Sequence, residues 1–192
     1  MKKITQLLMV IMLFACATTM VKAQKVGLKT NFLYWATTTP NLGVEMALGN
    51  KWTLDLNGGY NGWEFDNNKK FKHFSVLPEV RYWTCEAFNG HFFGLHGLVS
   101  EYNVGNIDLN IKPFDKLKGY RYEGWAYGVG LTYGYQFVLS KHWNLEASIS
   151  GGYVHTTYDK FNCEKCGKKI DEDSKNYFGP TKATISIIYL IK

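Results

Sequence analysis

The segment Trp143-Asn144-Leu145-Glu146-Ala147-Ser148-Ile149-Ser150-Gly151-Gly152-Tyr153-Val154-His155 decides how this chain folds. In an extended strand Trp143, Leu145, Ala147, Ile149, Gly151, Tyr153 and His155 share one face. Asn144, Glu146, Ser148, Ser150, Gly152 and Val154 share the other. A period of two with one apolar face is the signature of a strand, whereas a helix would scatter both sets around its circumference. The segment 122–138 repeats the pattern with larger contrast. Trp125, Tyr127, Val129, Leu131, Tyr133, Tyr135 and Phe137 alternate with the small set Ala126, Gly128, Gly130, Thr132 and Gly134. The end of the chain does so again, with Ala183, Ile185, Ile187, Tyr189 and Ile191 opposite Lys182, Thr184 and Ser186. Further strands fit 26–34, 42–48, 52–60, 73–83 and 91–102, about eight in all.

Short and long connections alternate between these strands. Gly49 to Lys51, Glu86 to Gly90 and Ser140 to His142 are tight turns. Ala36 to Asn41, Asn61 to Lys72, Asn103 to Gly119 and Thr156 to Pro180 read as longer polar loops. Short turns on one rim and long loops on the other are the habit of bacterial outer-membrane barrels, whose turns face the periplasm. Trp52, Trp83 and Trp143 fall beside the short turns, and Trp35, Trp63 and Trp125 near the long loops, as two aromatic belts would require. Strict alternation nonetheless turns Trp83 and Trp35 inward.

The composition agrees. In 192 residues there are 31 aromatics, 19 Gly and only 4 Pro, with 46% hydrophobic and 20% charged residues. That is one domain's worth of chain, too rich in large aromatics for disorder and without the repeated apolar runs of a helical membrane protein. The only continuous apolar run, Ile4 to Ala15, follows Lys2 and Lys3 and precedes Val21-Lys22-Ala23. This reads as a signal peptide, residues 1–23, ahead of a barrel domain, residues 24–192. Its removal takes away Lys2, Lys3 and Lys22, so the formal charge falls from +6 to +3 and the main support for a nucleic-acid partner goes with it. The fold class expected is therefore all-β: an antiparallel up-and-down transmembrane β-barrel preceded by a cleaved signal.

A soluble sandwich would alternate too, but its polar face would meet water. Here the proposed inward face carries Lys29, Asn31, Glu45, Asp55, Asn57, Glu79, Arg81, His96, Gln136 and Glu146 among glycines. An eight-stranded barrel has an interior just wide enough for side chains, so charges held there must pair. Lys29, Glu45, Asp55, Glu79, Arg81 and Glu146 form the candidate cluster, two cations against four carboxylates. Glu45 and His96 are expected nearer the middle than the rest. The reading is a structural, salt-bridged plug; a proton path or narrow channel is the alternative.

The segments Lys29-Thr30-Asn31-Phe32-Leu33-Tyr34, Pro40-Asn41-Leu42-Gly43-Val44-Glu45, Pro78-Glu79-Val80-Arg81-Tyr82-Trp83 and Gly90-His91-Phe92-Phe93-Gly94-Leu95-His96 resemble an uncharacterised family of Bacteroidetes outer-membrane proteins, the domain of unknown function numbered 3575. The resemblance spans the mature chain. It implies an outer-membrane barrel and supplies no activity or catalytic residues.

Some small barrels deacylate lipid A, and His73-Phe74-Ser75 sets an imidazole and a hydroxyl two residues apart on one face, as a serine hydrolase needs. Alternation turns both inward, away from lipid, and the orienting acid, Glu79, lies about 13 Å along the strand from Ser75 at about 3.3 Å per residue. No catalysis is expected. Once Cys16 leaves with the signal, Cys85, Cys163 and Cys166 remain. Cys163-Glu164-Lys165-Cys166-Gly167 is consistent with a local disulfide, half a zinc site or free thiols. From Asp159 to Lys175 five acids balance five lysines, a solvated loop without a phosphate-binding pattern. No cofactor is expected. The partners expected are outer-membrane lipid and a surface or envelope protein met through the long loops.

Overall fold

The computed structural model describes residues 25–65, 69–105, 120–161, 167 and 169–191. The elements run β1 (Val26–Asn31), α1 (Phe32–Ala36), β2 (Asn41–Ala47), β3 (Trp52–Asn61), β4 (Glu64–Phe65), β5 (Lys69–Trp83), β6 (Gly90–Gly105), β7 (Arg121–Val138), β8 (Trp143–Phe161) and β9 (Lys169–Ile191). Every pairing is antiparallel and between neighbours in the ring, in the order β3-β2-β1-β9-β8-β7-β6-β5. The pairing of β3 with β5 closes that ring, with Asp55 opposite Glu79 and Thr53 opposite Arg81. Eight strands thus close on themselves, and two-residue β4 extends the β5 edge. Closure removes the free edges that an open sheet would leave.

The wall is uneven in height. The β1–β2 ladder ends at Lys29 opposite Gly43, with β1 stopping at Asn31 and β2 starting at Asn41, while β5 to β9 run on well beyond that level. The strand expected over 26–34 breaks at Asn31 because its side chain accepts a hydrogen bond from the Leu33 amide and caps α1. Trp35 accordingly sits on α1 and is 51% exposed rather than pointing inward, whereas Trp83 does point inward and is fully buried. The greatest departure is Thr156 to Pro180. β8 and β9 continue their ladder through this stretch, pairing Tyr158 with Asp173, Asp159 with Glu172 and Lys160 with Asp171. These pairs have no apolar face, so hydropathy carries no period there. Lys169 holds the hairpin by bridging Asp159 and Glu172, both at 2.7 Å. For the same reason β5 begins at Lys69 and β6 reaches Gly105, shortening the two other loops.

Inward glycines make space at defined points. A Cβ on Gly94 would lie 2.6 Å from Glu79 Oε1, and one on Gly134 would lie 2.6 Å from Phe92 Cε1 and 2.7 Å from Ser148 Cβ. Because the Phe92 ring packs on Trp83 in the closed end of the bore, it has nowhere to go. We therefore expect Gly134→Val to destabilise the barrel by about 1–3 kcal/mol, the usual cost of overpacking. Equilibrium urea unfolding checks this, and a variant as stable as the wild type would show the bore to be loosely filled.

Candidate functional site

The inward faces bring together side chains far apart in sequence. At the short-turn end, Trp83, Phe88, Phe92, Ile188, Leu190, Ala47 and Ala87 form an apolar cap across the bore. Phe88 belongs to the turn between β5 and β6, which folds into the lumen rather than merely reversing the chain. Its backbone sits at φ 68°, a costly conformation for a bulky residue. Packing of its ring 6.1 Å from that of Trp83 and the hydrogen bond from Asn144 Nδ2 to its carbonyl at 2.9 Å hold it there.

Above the cap lies the ionic layer. The Arg81 guanidinium is 1% exposed and reaches four carboxylates: Nη1 to Glu45 Oε2 at 2.9 Å and to Glu146 Oε2 at 2.8 Å, Nη2 to Asp55 Oδ2 at 2.9 Å, and Nε to Glu79 Oε1 at 2.8 Å. Nη2 also donates to Glu146 Oε1 at 3.1 Å, so that contact is a two-pronged fork. Phe92 lies beneath, 4.4 Å from the guanidinium carbon to the ring centre. Lys29 reaches Asp55 at 2.7 Å, Glu45 at 3.1 Å and Glu146 at 3.5 Å. Neutral donors take up remaining oxygens: Thr53 on Glu45 at 2.6 Å, Asn57 on Asp55 at 2.6 Å and Thr132 on Glu79 at 3.2 Å.

All six residues of the expected cluster therefore meet in the interior. Glu45 stands directly opposite Asp55 in the β2–β3 ladder. The cluster has a third cation as well, since Lys182 pairs with Glu79. Lys182 lies on the inward side by the same alternation as Thr184 and Ser186. His96 stands directly opposite Glu79 in the β5–β6 ladder, bonded to Thr132 at 3.1 Å and to Thr181 at 3.1 Å. Above it Tyr34 enters the bore from α1, its ring close against Gly59. The ring's arrival from a helical turn is not encoded in strand alternation, and nothing in the spacing would have placed it there.

A void of about 20 Å3 beside Lys29, Tyr34, Asn57, Arg81 and Lys182 has room for a single water. Ser75 is buried on the inward face and Phe74 points outward, so the His73-Phe74-Ser75 hydroxyl is turned away from the outer surface. Cys85 is exposed with a free thiol, whereas Cys163 and Cys166 lie outside the described residues. Among the described residues no group of His, Cys, Asp and Glu assembles a metal site.

With that geometry in view, the protein family described as "Protein of unknown function (DUF3575)" matches residues 8–191. The chain belongs to the DUF3575 family. Comparison with curated proteins and with solved structures gave no match. What this DUF3575 chain offers chemically is therefore judged from its own side chains, which place three cations and four carboxylates in one buried network.

Removing the guanidinium would leave four buried carboxylates facing two ammonium groups. Arg81→Met should destabilise folding by about 3–5 kcal/mol, the range for breaking one partner out of a buried pair. Adding Glu146→Gln in the same chain should recover part of that loss by deleting one uncompensated charge, a coupling that a double-mutant cycle in urea unfolding measures. Additive losses would mean the two groups do not share a network.

Proposed function

We propose that this protein is an outer-membrane β-barrel, exported with loss of residues 1–23, whose role is structural or surface-interacting and not catalytic. The observation that carries the reading is the inversion of polarity between the two faces of the wall. Outside, Leu131 is 69% exposed, Ile149 62% and Leu95 61%, with Leu42, Leu56 and Val129 similarly bare. Inside, arginine, lysine and four carboxylates are buried. Soluble monomers rarely expose contiguous apolar patches beyond a few hundred Å2. A hydrocarbon environment outside the barrel makes the same arrangement favourable.

The dimensions support this. Tyr135 and Trp125 stand ten residues apart on β7, about 33 Å along the strand and about 25 Å along a barrel axis tilted by about 40°. That is the height of the apolar band in outer-membrane barrels. Rings gather at both limits. Trp52 packs on Tyr82 and Trp143 on Tyr189 near the short turns. At the opposite limit Trp35 donates to Thr30 at 2.7 Å and Trp63 to the Thr38 carbonyl at 3.0 Å. Where β1 and β2 fall short, exposed Phe32, Leu33 and Trp35 on α1 continue the band. Above it, β5 to β9 project a charged wall, the surface through which an envelope partner would be met.

The sealed bore supports a structural role over a channel, and the inward Ser75 supports it over a lipid hydrolase. The full chain expressed with its leader should begin at Gln24, float with liposomes and show a gel band that shifts on boiling. In planar bilayers it should give no steady conductance. Recovery in washed soluble periplasm without a band shift would overturn the membrane reading, and steady ion-selective current would overturn the sealed lumen.

A further inference from the structure

Above the ionic layer, at the long-loop end, the bore holds a cavity of about 560 Å3. Its lining comes from six strands around the ring, with Asn61 from β3, His73 from β5, Tyr102 from β6, Gly124 from β7, Tyr158 from β8 and Glu172 from β9. Asn61 stands opposite His73, His73 opposite Tyr102, Tyr102 opposite Gly124 and Gly124 opposite Tyr158, so one row of inward residues crosses five strands. Ser75 and Ala126 lie two residues farther into the bore than His73 and Gly124 on the same strands, and both are buried. The cavity is therefore a blind cup, closed below and open at the outer end.

Rings and neutral polar groups face this cup. The Tyr158 ring meets Tyr122 edge to face at 5.4 Å between centres, and its hydroxyl donates to Asp173 at 3.4 Å. These contacts hold the ring in place before any ligand arrives, which lowers the entropic cost of binding. Gly124 stands between Tyr102 and Tyr158 and has no side chain, so Tyr102 reaches past it to hydrogen-bond Thr156 on β8. Nδ1 of His73 is buried and makes no hydrogen bond of good geometry. Charges around the cup are matched within the chain. Lys160 stands opposite Asp171, Asp173 lies two residues from Lys175 on one face of β9, Glu123 pairs with Arg121 at 3.1 Å, and Lys169 takes Asp159 and Glu172. A charged ligand would break one of these couples or remain uncompensated.

We propose that this cup binds a neutral saccharide unit. One face of a pyranose carries only C–H groups and packs on an aromatic ring, while its edge is a fringe of hydroxyls that donate and accept. The volume falls within the range of about 300–1,000 Å3 typical of small-molecule sites, which likewise combine rings with a few fixed polar groups. The inference names the partner's chemistry for the surface-interaction reading above and rests on it, because the cup faces out of the cell when the short turns face the periplasm.

The test is ligand-observed NMR on the full mature chain in lauryldimethylamine oxide, a detergent with no sugar of its own. The probes are the methyl glycosides of glucose, mannose and galactose, with glucosamine, glucose 6-phosphate and cyclohexanol for comparison. At least one methyl glycoside should bind with a dissociation constant on the order of 1 mM, the scale that ligand efficiency sets for a molecule of that size. Tyr158→Ala and His73→Ala should each weaken it about fivefold, the scale of one ring contact or one hydrogen bond. Tyr158→Phe, which keeps the ring, should retain most of the binding, and Leu95→Ala on the outer wall should leave it unchanged. A heat-dependent shift of the gel band shows that each variant is folded. No binding of any glycoside at tens of millimolar, binding that survives both alanine variants, or equal binding of cyclohexanol or of the charged sugars would overturn the proposal. Linking the preferred sugar to a diacylglycerol separates the sources: unchanged affinity points to a free glycan, and a gain above tenfold to a glycolipid headgroup. Liposome flotation separates the inference from the membrane reading. A barrel that floats without binding sugar removes this inference alone, and one that binds sugar yet stays soluble removes the membrane reading alone.

Discussion

One guanidinium shared by four carboxylates ties the interior of this molecule together, and the rest of the fold is arranged to make that possible. Arg81 comes from β5, Glu45 from β2, Asp55 from β3 and Glu146 from β8, so a single side chain ties the ring across its diameter. Each contact requires a register: a slip by one residue in any ladder would turn the corresponding carboxylate to the outer face. Buried ion pairs are weak evidence for stability, because desolvation offsets most of the attraction. Their consequence here is specificity, since only one set of registers brings three cations and four carboxylates within reach of one another. The apolar cap below and Tyr34 above limit the access of bulk water to those groups, which strengthens the pairs in the layer.

A bore filled with charge and a wall coated with leucine, valine and aromatic residues are two faces of the same alternation. Reversing either would make the other untenable: an apolar bore would need a polar exterior, and the ladders could close equally well around it. The choice is made residue by residue, as in β7, where Thr132 and Gln136 are buried while Leu131 and Phe137 are exposed. Small inward residues then decide what fits. Gly94 leaves space for Glu79, and Gly134 for Phe92, so glycine on this face is a packing device and not a sign of looseness. The unequal wall follows from Asn31, whose side chain ends β1 and starts the turn of α1 that brings Tyr34 over the bore.

Most of this was legible where one face was apolar. Alternation, clearest in 143–155 and 122–138 and extended to 26–34, 42–48, 52–60 and 73–83, located strands, sidedness and the six charged residues of the cluster, because a period of two survives any detail of tertiary structure. It failed where both faces are polar. Asp159, Lys160, Asp171 and Asp173 form regular ladder pairs, yet hydropathy shows nothing there to alternate. It also failed at local backbone features. Neither the capping of α1 by Asn31 nor the inward fold of the turn carrying Phe88 has a hydrophobic period, and both depend on what the closed ring presents to them. Lys182 was visible on the correct face and became part of the plug only when the register of β9 with β8 brought it to Glu79.

The central claim is that outward residues of the described strands meet hydrocarbon while their immediate neighbours in sequence face a closed, polar interior. Spin labels placed singly at Leu131 and Thr132 of the reconstituted barrel test it most directly, through collision with oxygen, which concentrates in the bilayer, and with a water-soluble nickel chelate. The label at Leu131 should be relaxed strongly by oxygen and little by the chelate, and that at Thr132 should be shielded from both. Equal access of the chelate to Leu131 would place that face in water and contradict the account.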